Sequence, residues 1–419
     1  MQYGTLQRLF CGLLILVICQ LNSFVEAVGL DQVQKIRLLW TAVPDAVRYE
    51  LIITKGRGGK GNEPNPADIV FANTIIYTAG TEVTTVGLSQ QLEELWWQVR
   101  ALDVDWQPIS AFSRPEKLSY GEINPLTPLP TVYYERREVA PVYPTYAWIP
   151  VLNADHYEVQ VLSADPEGSD GSKHLISSYK ILGAQAFDCY GTDAFTEEGT
   201  RWWRVTARSA DGQQIGTWSK ALPITVQHTG FPLAALGDSV THGGGAISNP
   251  PCDPAYDWTS YVGIPVRNLG RSGDTAQTMA DRFNEDVLPF VPKVLLIMGG
   301  INDLRGGTPA EEVISHLNVI REKCEENGIK PIFMTVTPIN PDAIKRAFNE
   351  ETDENWQREW HIVNAWIRGQ AYYVDVAPLL AGSDGLLPQK FAADGLHPDT
   401  VGKELIGRAV GKYLFNQLL

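Results

Sequence analysis

A duplicated pattern of tryptophan and tyrosine in the first half of the 419-residue chain limits its fold most strongly. One copy begins at Trp40 and reads WTAVPDAVRYELII, and the other begins at Trp148 and reads WIPVLNADHYEVQV. Trp40 and Tyr49 thus recur 108 residues later as Trp148 and Tyr157, and a second pair of matching segments around two twin tryptophans is offset by 106 residues. Two units of about a hundred residues predict a duplicated domain, because the repeats of a solenoid are shorter.

Each unit has the residue pattern of short β-strands. In the second unit Tyr157, Val159 and Val161 alternate with polar residues, and turn-rich stretches such as SADPEGSDGS separate the apolar runs. Such strands, about ten residues apart, predict an all-β sandwich. The opening tryptophan, the Y-E-L strand and the W-x-V-x-A strand make each unit resemble a fibronectin type III module. The resemblance covers roughly residues 29 to 227, with NPLTPLPT at 124–131 as the predicted linker, and the twin tryptophans at 96–97 and 202–203 are expected in the cores.

The pattern changes after about Phe231, where short apolar runs alternate with helical segments. The runs are PLAALG, IPVRNLG, KVLLIMGG, PIFMTVTP and AYYVDVAP, each long enough for one buried strand. Strands alternating with helices predict an α/β domain with an open parallel sheet. In such sheets functional residues gather in the loops just beyond the carboxyl ends of the strands.

The clearest helix is predicted over residues 308–327. Thr308 is the expected cap, with Pro309 in the first turn and Glu311 completing a capping box, and Gly328 is expected to end the helix. The expected apolar stripe consists of Val313, Leu317, Ile320 and Cys324. Cys324 is therefore expected to be a buried core thiol, and His316 flanks the same stripe.

Four polar clusters follow the predicted strands: GDSV at 237–240, NLGRSGDT at 268–275, GGINDLRGG at 299–307 and DGLHPDT at 394–400. Each is weak alone, but their order and their positions at strand ends are specific together. Over about residues 230 to 419 the chain resembles the SGNH (GDSL-type) hydrolases, which are named for the Ser, Gly, Asn and His of four such blocks. The resemblance implies a three-layer, flavodoxin-like α/β domain that hydrolyses esters.

Ester hydrolysis needs a nucleophile, a base and donors for the oxyanion. Ser239 supplies the hydroxyl, His397 is the candidate base, and Asp394 is close enough in sequence to orient the imidazole. By the resemblance, the oxyanion hole consists of the backbone N–H groups of Ser239 and Gly273 and the side-chain amide of Asn302. The alternative role for Ser239 is a helix cap, and for His397 and Asp394 a loop pair that only holds the last helix.

Further residues in these blocks are candidates for supporting roles. Candidate pocket residues are His242, Trp258 and Tyr261, although a loop-stabilising role is favoured for His242 and packing is an equal alternative for the two aromatic residues. Asp238 is expected to cap or brace the serine turn. Asp303 and Arg305 are expected to support the Asn302 loop through an ion pair.

The net charge and the cysteines of the chain exclude some classes of partner and cofactor. The formal net charge of −15 argues against nucleic acid and anionic membrane surfaces as partners. No two of the cysteines stand at metal-ligand spacing, and the sequence gives no sign of a required metal or organic cofactor. Cys189, Cys252 and Cys324 would remain after removal of a leader, enough for at most one disulfide, and the sequence leaves their pairing open.

The N-terminus has the layout of a secretory signal peptide. Arg8 precedes the apolar run LFCGLLILVIC at 9–19, and VEA at 25–27 offers a cleavage site after Ala27. A lipoprotein signal ending at Cys19 is disfavoured by the bulky residues before it. The predicted organisation is thus a signal peptide at 1–27, β-sandwiches at 28–123 and 124–227, and a hydrolase domain at 228–419, with no integral membrane segment after cleavage.

These features together predict a secreted serine esterase, extracellular, on the cell surface or in the periplasm. The expected substrate is an ester with a short acyl group, such as acetyl on a glycan, cleaved through an acyl-enzyme. A lipase, lysophospholipase or thioesterase on the same scaffold is the first alternative. The second is a protein that binds polysaccharide or a cell surface mainly through the β-sandwiches.

Overall fold

The computed structural model describes residues 35–418 apart from 58, 60, 85–91, 120–126, 138 and 229. The predicted signal peptide, its cleavage site and the lipoprotein alternative at Cys19 lie outside the described residues, as do the first three residues of the predicted linker. Within the described residues, no helix has the length and apolar character needed to cross a membrane.

The first β-module consists of antiparallel strands around one apolar core. Its strands are β1 (Lys35–Leu39), β2 (Arg48–Lys55), β3 (Ile69–Ile76), β4 (Gly80–Thr84), β5 (Leu95–Leu102) and β6 (Glu116–Lys117). β1 pairs with β4, and the second sheet has the order β3-β2-β5-β6. Trp97 is buried in the core between these strands, whereas its neighbour Trp96 is only half-buried, as is Trp202 in the second module. Because successive side chains of a strand point to opposite faces, only one tryptophan of each pair, Trp97 or Trp203, has the predicted core position.

The second β-module repeats this arrangement. Its strands are β7 (Leu129–Pro130), β8 (Thr145–Ile149), β9 (His156–Leu162), β10 (Leu175–Leu182), β11 (Asp188–Tyr190), β12 (Gly199–Arg208), β13 (Gln214–Ile215) and β14 (Leu222–Val226). One sheet has the order β11-β8-β7, and the other β10-β9-β12-β13, with β14 also pairing with β12. Strand β7 lies within the predicted linker at 124–131. The C-terminal part of that linker is therefore a strand of the second β-module.

The duplicated residues make equivalent contacts in the two modules. The ring centroids of Trp40 and Tyr49 lie 5.3 Å apart, and those of Trp148 and Tyr157 lie 5.2 Å apart. Each tyrosine hydroxyl also accepts a hydrogen bond from the backbone N–H six residues before it, at 2.9 and 3.0 Å. The two β-modules are therefore built alike, while the fibronectin type III resemblance stays a prediction.

The α/β domain has a five-stranded parallel sheet of order β16-β15-β17-β18-β19. Its strands are β15 (Leu233–Gly237), β16 (Arg267–Gly270), β17 (Val294–Met298), β18 (Lys330–Met334) and β19 (Tyr373–Val374). Its helices are α1 (Ser239–His242), α2 (Ala276–Asp281), α3 (Phe283–Asp286), α4 (Ile301–Arg305), α5 (Ala310–Glu326), α6 (Pro341–Phe348), α7 (Trp356–Arg368), α8 (Ala377–Leu380) and α9 (Thr400–Leu418). The predicted parallel sheet is present, one strand for each apolar run.

Helices cover both faces of this sheet. Alternate residues of β15 point to opposite faces, where Leu236 belongs to one apolar cluster and Ala235 to another. Helices α2, α5 and α7 pack on the first face and α9 on the second. Because β15 lies between β16 and β17, its carboxyl end is a topological switch point, where open α/β sheets place their ligands.

Both β-modules pack against the α/β domain. One buried apolar cluster continues from the second β-module into the first face of the parallel sheet. The backbone N–H of Val142 donates to the Asn268 carbonyl at 3.1 Å, so the second module covers the edge strand β16. On the first module, Asp45 accepts hydrogen bonds from the hydroxyls of Tyr256 and Thr400, the first residue of α9.

Two local expectations are wrong, and tertiary contacts explain one of them. Helix α5 begins at Ala310 without a side-chain cap, and the Ala310 N–H is satisfied by the Glu359 carboxylate on α7 at 2.8 Å. The capping box of Thr308 and Glu311 is therefore not formed. Asp303 and Arg305 do not pair either: Arg305 binds Glu350 at 2.8 Å, and Asp303 accepts from the Ala276 N–H.

Cys324 is the buried core thiol that the sequence predicts. Cys324 is fully buried in the stripe of α5, and burial raises the pKa of its thiol to about 12. Cys189, Cys252 and Cys324 are all free thiols, so the described residues contain no disulfide.

Candidate active site

The loop after β15 presents Ser239 at the switch point. Asp238 caps the short helix α1 by accepting the Val240 N–H at 2.9 Å, which makes Ser239 the first residue of that helix. A Cβ on Gly237 would collide with the Thr241 side chain and the Met298 carbonyl, so only glycine fits the end of β15. The turn therefore fixes Ser239 tightly, with 7% of its surface exposed.

The C-terminal loop brings an imidazole and a carboxylate to this serine. His397 Nε2 lies 3.0 Å from Ser239 Oγ, and His397 Nδ1 lies 2.8 Å from Asp394 Oδ2. The other oxygen of Asp394 accepts the backbone N–H groups of Leu396 and His397, each at 2.8 Å, which fixes the orientation of the carboxylate. Because a carboxylate only accepts, Nδ1 carries the proton and Nε2 is left to accept one from Ser239.

The loop that carries His397 and the helix that follows it are held by contacts with several other segments. The Asn340 N–H donates to the Gly395 carbonyl at 2.8 Å, and Phe348 on α6 meets the His397 ring edge-on at 6.1 Å. From α9, the fully buried Lys403 donates to the Val240 carbonyl at 2.7 Å. The last helix is thus joined directly to the helix that begins with Ser239. Burial lowers the pKa of Lys403 to about 8.

The three neutral donors of the predicted oxyanion hole come from segments that follow β15, β16 and β17: Ser239 begins α1, Gly273 lies in a loop, and Asn302 is in the first turn of α4. Within the described residues, the N–H groups of Ser239 and Gly273 make no hydrogen bond. Gly273 has a φ of +86°, a conformation that favours glycine, and open space where a Cβ would be. The Asn302 amide is oriented at both ends: its Nδ2 donates to the Asp274 carbonyl at 2.9 Å, and its Oδ1 accepts from Arg305 at 3.4 Å. One N–H of this amide remains for a ligand.

The predicted pocket role of three residues does not fit their surroundings. Trp258 is fully buried in the apolar cluster under α9, and both Trp258 and Tyr261 pack against Gly407 of that helix. The Tyr261 hydroxyl donates to the Ala255 carbonyl at 3.0 Å. His242 is 2% exposed and cannot meet a substrate. Trp258 and Tyr261 are packing residues, and His242 has a structural role that differs from the loop-stabilising one favoured from the sequence.

His242 connects two chain segments rather than the loop that follows it. Its Nε2 lies 2.7 Å from the Tyr143 carbonyl of the second β-module, which can only accept, so Nε2 carries the proton. Its Nδ1 then accepts from the Ser272 hydroxyl at 2.9 Å and the Ser272 N–H at 3.3 Å. The neutral imidazole has both nitrogens satisfied, and burial, together with nearby Arg282, Lys403 and Arg137, lowers its pKa to about 4.

This shift predicts a dependence of stability on pH. Because the folded pKa of about 4 lies below the ordinary value of 6.5, the unfolded chain binds more protons in this range, and stability falls as the pH drops from 6.5 toward 4. From pH 7 to pH 5 the single shift corresponds to about 2 kcal/mol of unfolding free energy. Urea denaturation gives the free energy of unfolding of wild type and of His242→Asn. The difference between the two proteins should be smaller at pH 5 than at pH 7 by that amount. A gap of the same size at both pH values would contradict the buried neutral imidazole, and His361→Asn, at an exposed position, is the control.

A buried ion network, missed by the sequence reasoning, supports the Gly273 loop. Arg282 pairs with Asp274 at 2.6 Å and with Asp286 at 2.8 Å, and it donates to the Gly237 carbonyl at 3.1 Å. Tyr143 of the second β-module donates its hydroxyl to Asp286 at 2.7 Å. The i, i+4 spacing of Arg282 and Asp286 was a usable signal, but nothing local marks Tyr143.

A known protein family matches the part of the chain that contains this site. The profile of the GDSL-like Lipase/Acylhydrolase family matches residues 235–405. This match supports a GDSL-like lipase/acylhydrolase domain at these residues. The match supports an ester-hydrolysing enzyme and confirms the predicted resemblance for this part of the chain.

Among curated proteins, the uncharacterized lipoprotein YqeF of Bacillus subtilis (strain 168) is 33% identical over 119 residues, which cover 26% of this chain and 49% of that protein. The chain thus spans about half the length of this relative. Among solved structures, a lipase/acylhydrolase from Enterococcus faecalis is 22% identical, with a TM-score of 0.37, over 44% of this chain and 95% of that one. A variant of an acetyl-xylooligosaccharide esterase from Geobacillus is 24% identical, with a TM-score of 0.32, over 43% and 93%.

Proposed function

We propose that this chain is a serine esterase that removes short acyl groups, acetyl in the first place, from carbohydrate through an acyl-enzyme. The observation that carries the proposal is the relay of hydrogen bonds from Ser239 Oγ to His397 Nε2 at 3.0 Å and from His397 Nδ1 to Asp394 at 2.8 Å. An alcohol, an imidazole and a buried carboxylate in this order form the general arrangement of a serine hydrolase.

The reaction follows from these positions in two steps. Ser239 Oγ attacks the ester carbonyl carbon while His397 Nε2 takes the hydroxyl proton, and the carbonyl oxygen becomes an oxyanion between the donors of Ser239, Gly273 and Asn302. Collapse of this intermediate breaks the bond to the alcohol, which leaves with the proton from His397. Water then attacks the acyl-serine, its proton passes to His397, and the carboxylic acid is released as Ser239 regains its hydrogen.

A short acyl group is favoured by the chain segments around Ser239. Between α1 and β16 the chain forms only the 3-10 helices Pro254–Tyr256 and Trp258–Tyr261, and both lie against α9 or its neighbours. This segment is described throughout and contains no amphipathic helix that could cover a long chain. Without such a cover a fatty acyl chain would stay exposed to water, so an acetyl group suits this site better.

A hydrophilic alcohol is favoured by the residues around the oxyanion donors. The side chains of Arg271 and Arg305 are 35% and 22% exposed, and Glu350, which pairs with Arg305, is 52% exposed. Such charged groups are unfavourable neighbours for the apolar chain of a lipid. They offer hydrogen bonds to the hydroxyl groups of a sugar, so the leaving alcohol of the proposal is a carbohydrate.

The proposal extends to export and to the β-modules. The apolar run at 9–19 and the small residue Ala27 support a cleaved secretory signal, and the paired antiparallel sheets support fibronectin type III-like modules. The N-terminal residue of the protein recovered outside the cell would test export. A first residue of Val28 is expected, and a protein retained inside the cell with its first residues intact would contradict it.

A series of acyl chain lengths tests the substrate. Hydrolysis of p-nitrophenyl acetate, butyrate and octanoate should give a kcat/KM that falls by about tenfold or more from acetate to octanoate, because each added methylene must fit a small site. Acetate release from glucose pentaacetate should also exceed that of a Ser239→Ala control. A preference for octanoate would point to a lipase, and faster cleavage of acetyl thioesters would point to a thioesterase.

A further inference from the structure

The second β-module reaches the oxyanion side of the candidate site through one short segment. Residues 140–143 precede β8 and lie along the edge strand β16, where Val142 pairs with Asn268. β16 leads directly into the loop that carries Ser272, Gly273 and Asp274. The module therefore contacts the strand whose end supplies one of the oxyanion donors.

Tyr143 contacts this loop system through both its backbone and its side chain. Its carbonyl accepts from His242 Nε2 at 2.7 Å, and the opposite nitrogen of that imidazole binds Ser272, the residue before Gly273. Its hydroxyl donates to Asp286 at 2.7 Å. Because the Tyr143 carbonyl is held by the second module, the imidazole fixes Ser272 relative to that module.

The side-chain contact continues through buried charges to Asn302. Asp286 and Asp274 are bridged by Arg282, and all three side chains are at most 5% exposed. The Asp274 carbonyl accepts the Asn302 amide at 2.9 Å. Two routes thus lead from Tyr143 to the oxyanion hole, one to Gly273 through His242 and one to Asn302 through Arg282.

We propose that Tyr143 and His242 are positioning residues, through which the second β-module sets the geometry of the oxyanion hole. This inference rests on the proposed esterase function. The second β-module is then a working part of the catalytic unit rather than a spacer. Neither residue touches the substrate, so their replacement should lower the stabilisation of the oxyanion while leaving the substrate's acyl and alcohol contacts in place.

Two substitutions in the full-length protein separate the routes. Tyr143→Phe removes only the hydroxyl that binds Asp286. His242→Asn cuts the link to the Tyr143 carbonyl, because the shorter side chain does not reach it, while its Oδ1 can replace Nδ1 as the acceptor for Ser272. Tyr179→Phe and His228→Asn are matched controls in the same part of the chain. Tyr179 donates to Asp193 at 2.8 Å, and His228 Nε2 lies 2.6 Å from the Thr196 carbonyl.

The readout must distinguish positioning from a loss of folded protein. Active sites are first counted by stoichiometric labelling with a fluorophosphonate, and kcat for p-nitrophenyl acetate is then expressed per labelled site. We expect kcat per site to fall about tenfold in each variant, with KM within twofold, because small shifts of catalytic donors cost rate and not ground-state binding. Inhibition by ethylboronic acid, which forms a tetrahedral adduct on the serine, should weaken by a similar factor.

The outcomes are distinct. The proposal is supported if kcat per site and the affinity for the boronic acid fall by a similar factor in Tyr143→Phe and in His242→Asn, while both control variants stay at wild-type values. Variants that lose only labelled sites or thermal stability, with wild-type kcat per remaining site, overturn it and leave the esterase function intact. A wild-type protein no more active than Ser239→Ala would refute the proposed function first, and this inference with it.

Discussion

Replacing Ser239 with alanine should lower kcat for p-nitrophenyl acetate by about 10⁴-fold or more, because the acyl group then has no oxygen to which it can be transferred. His397→Ala should have a similar effect, since the Ser239 hydroxyl loses the base 3.0 Å away. The double substitution should be no slower than either single one, because the two groups act in the same proton transfer. Initial rates of p-nitrophenol release measure all three.

Controls for this prediction are matched by residue type. Ser260→Ala changes an exposed serine of the same domain, and His361→Ala an exposed histidine on α7. Both should keep wild-type rates, and thermal denaturation should show all variants folded. If Ser239→Ala retained more than about a hundredth of the wild-type rate, the nucleophile would have to be another group. If the double variant were far slower than the singles, Ser239 and His397 would not act as a pair.

The sequence predicts most of the architecture because its clearest patterns, the aromatic repeat and the apolar runs, consist of side chains that are buried in the folded chain. The repeat of Trp40 as Trp148 predicts equivalent positions, and in the structure each tryptophan packs against the tyrosine nine residues later. The strands around an aromatic side chain fix its position, so a repeated pattern gives a repeated contact. The five apolar runs of the α/β domain become the five strands of a parallel sheet for the same reason. The limits of the domains and the fibronectin type III resemblance stay predictions.

The grouping of the candidate site residues is predictable from topology. Ser239 and His397 are 158 residues apart in the chain, yet both follow strands whose carboxyl ends meet at one edge of a parallel sheet. Their catalytic roles remain predictions that the substitutions above test. The structure contributes the distances and the orientation of the Asp394 carboxylate.

Other features depend on contacts that no local pattern contains. The N-terminus of α5 uses Glu359 from another helix, so the expected capping box was wrong. Trp258 stands in the sequence beside the residues of the site, and only the packing of α9 over it makes it a core residue. Tyr143 lies in a different module from the site, almost a hundred residues before Ser239, and only the folded chain brings its carbonyl to His242.

Asn302→Ala should lower kcat by about 10²- to 10³-fold while KM changes little, because an oxyanion donor binds the transition state more strongly than the ester carbonyl. The backbone should tolerate the change, because within the described part of the chain the Asn302 side chain makes hydrogen bonds to the Asp274 carbonyl and Arg305 alone. Fluorophosphonate labelling should slow along with kcat, since the probe also develops negative charge on oxygen. Labelling should still reach one group per chain, because Ser239 and His397 are untouched.

Asn302→Asp is the more informative partner of this substitution. It keeps the size of the side chain but replaces the N–H donor by a carboxylate oxygen, which repels an oxyanion and the Asp274 carbonyl alike. The rate should therefore be lower than in Asn302→Ala at neutral pH, although the alanine variant has lost more atoms. Asn327→Asp, at an exposed position after α5, is the control for an added charge. A rate for Asn302→Asp near that of wild type would show that the amide does not face the oxyanion, and the hole would then consist of the two backbone donors.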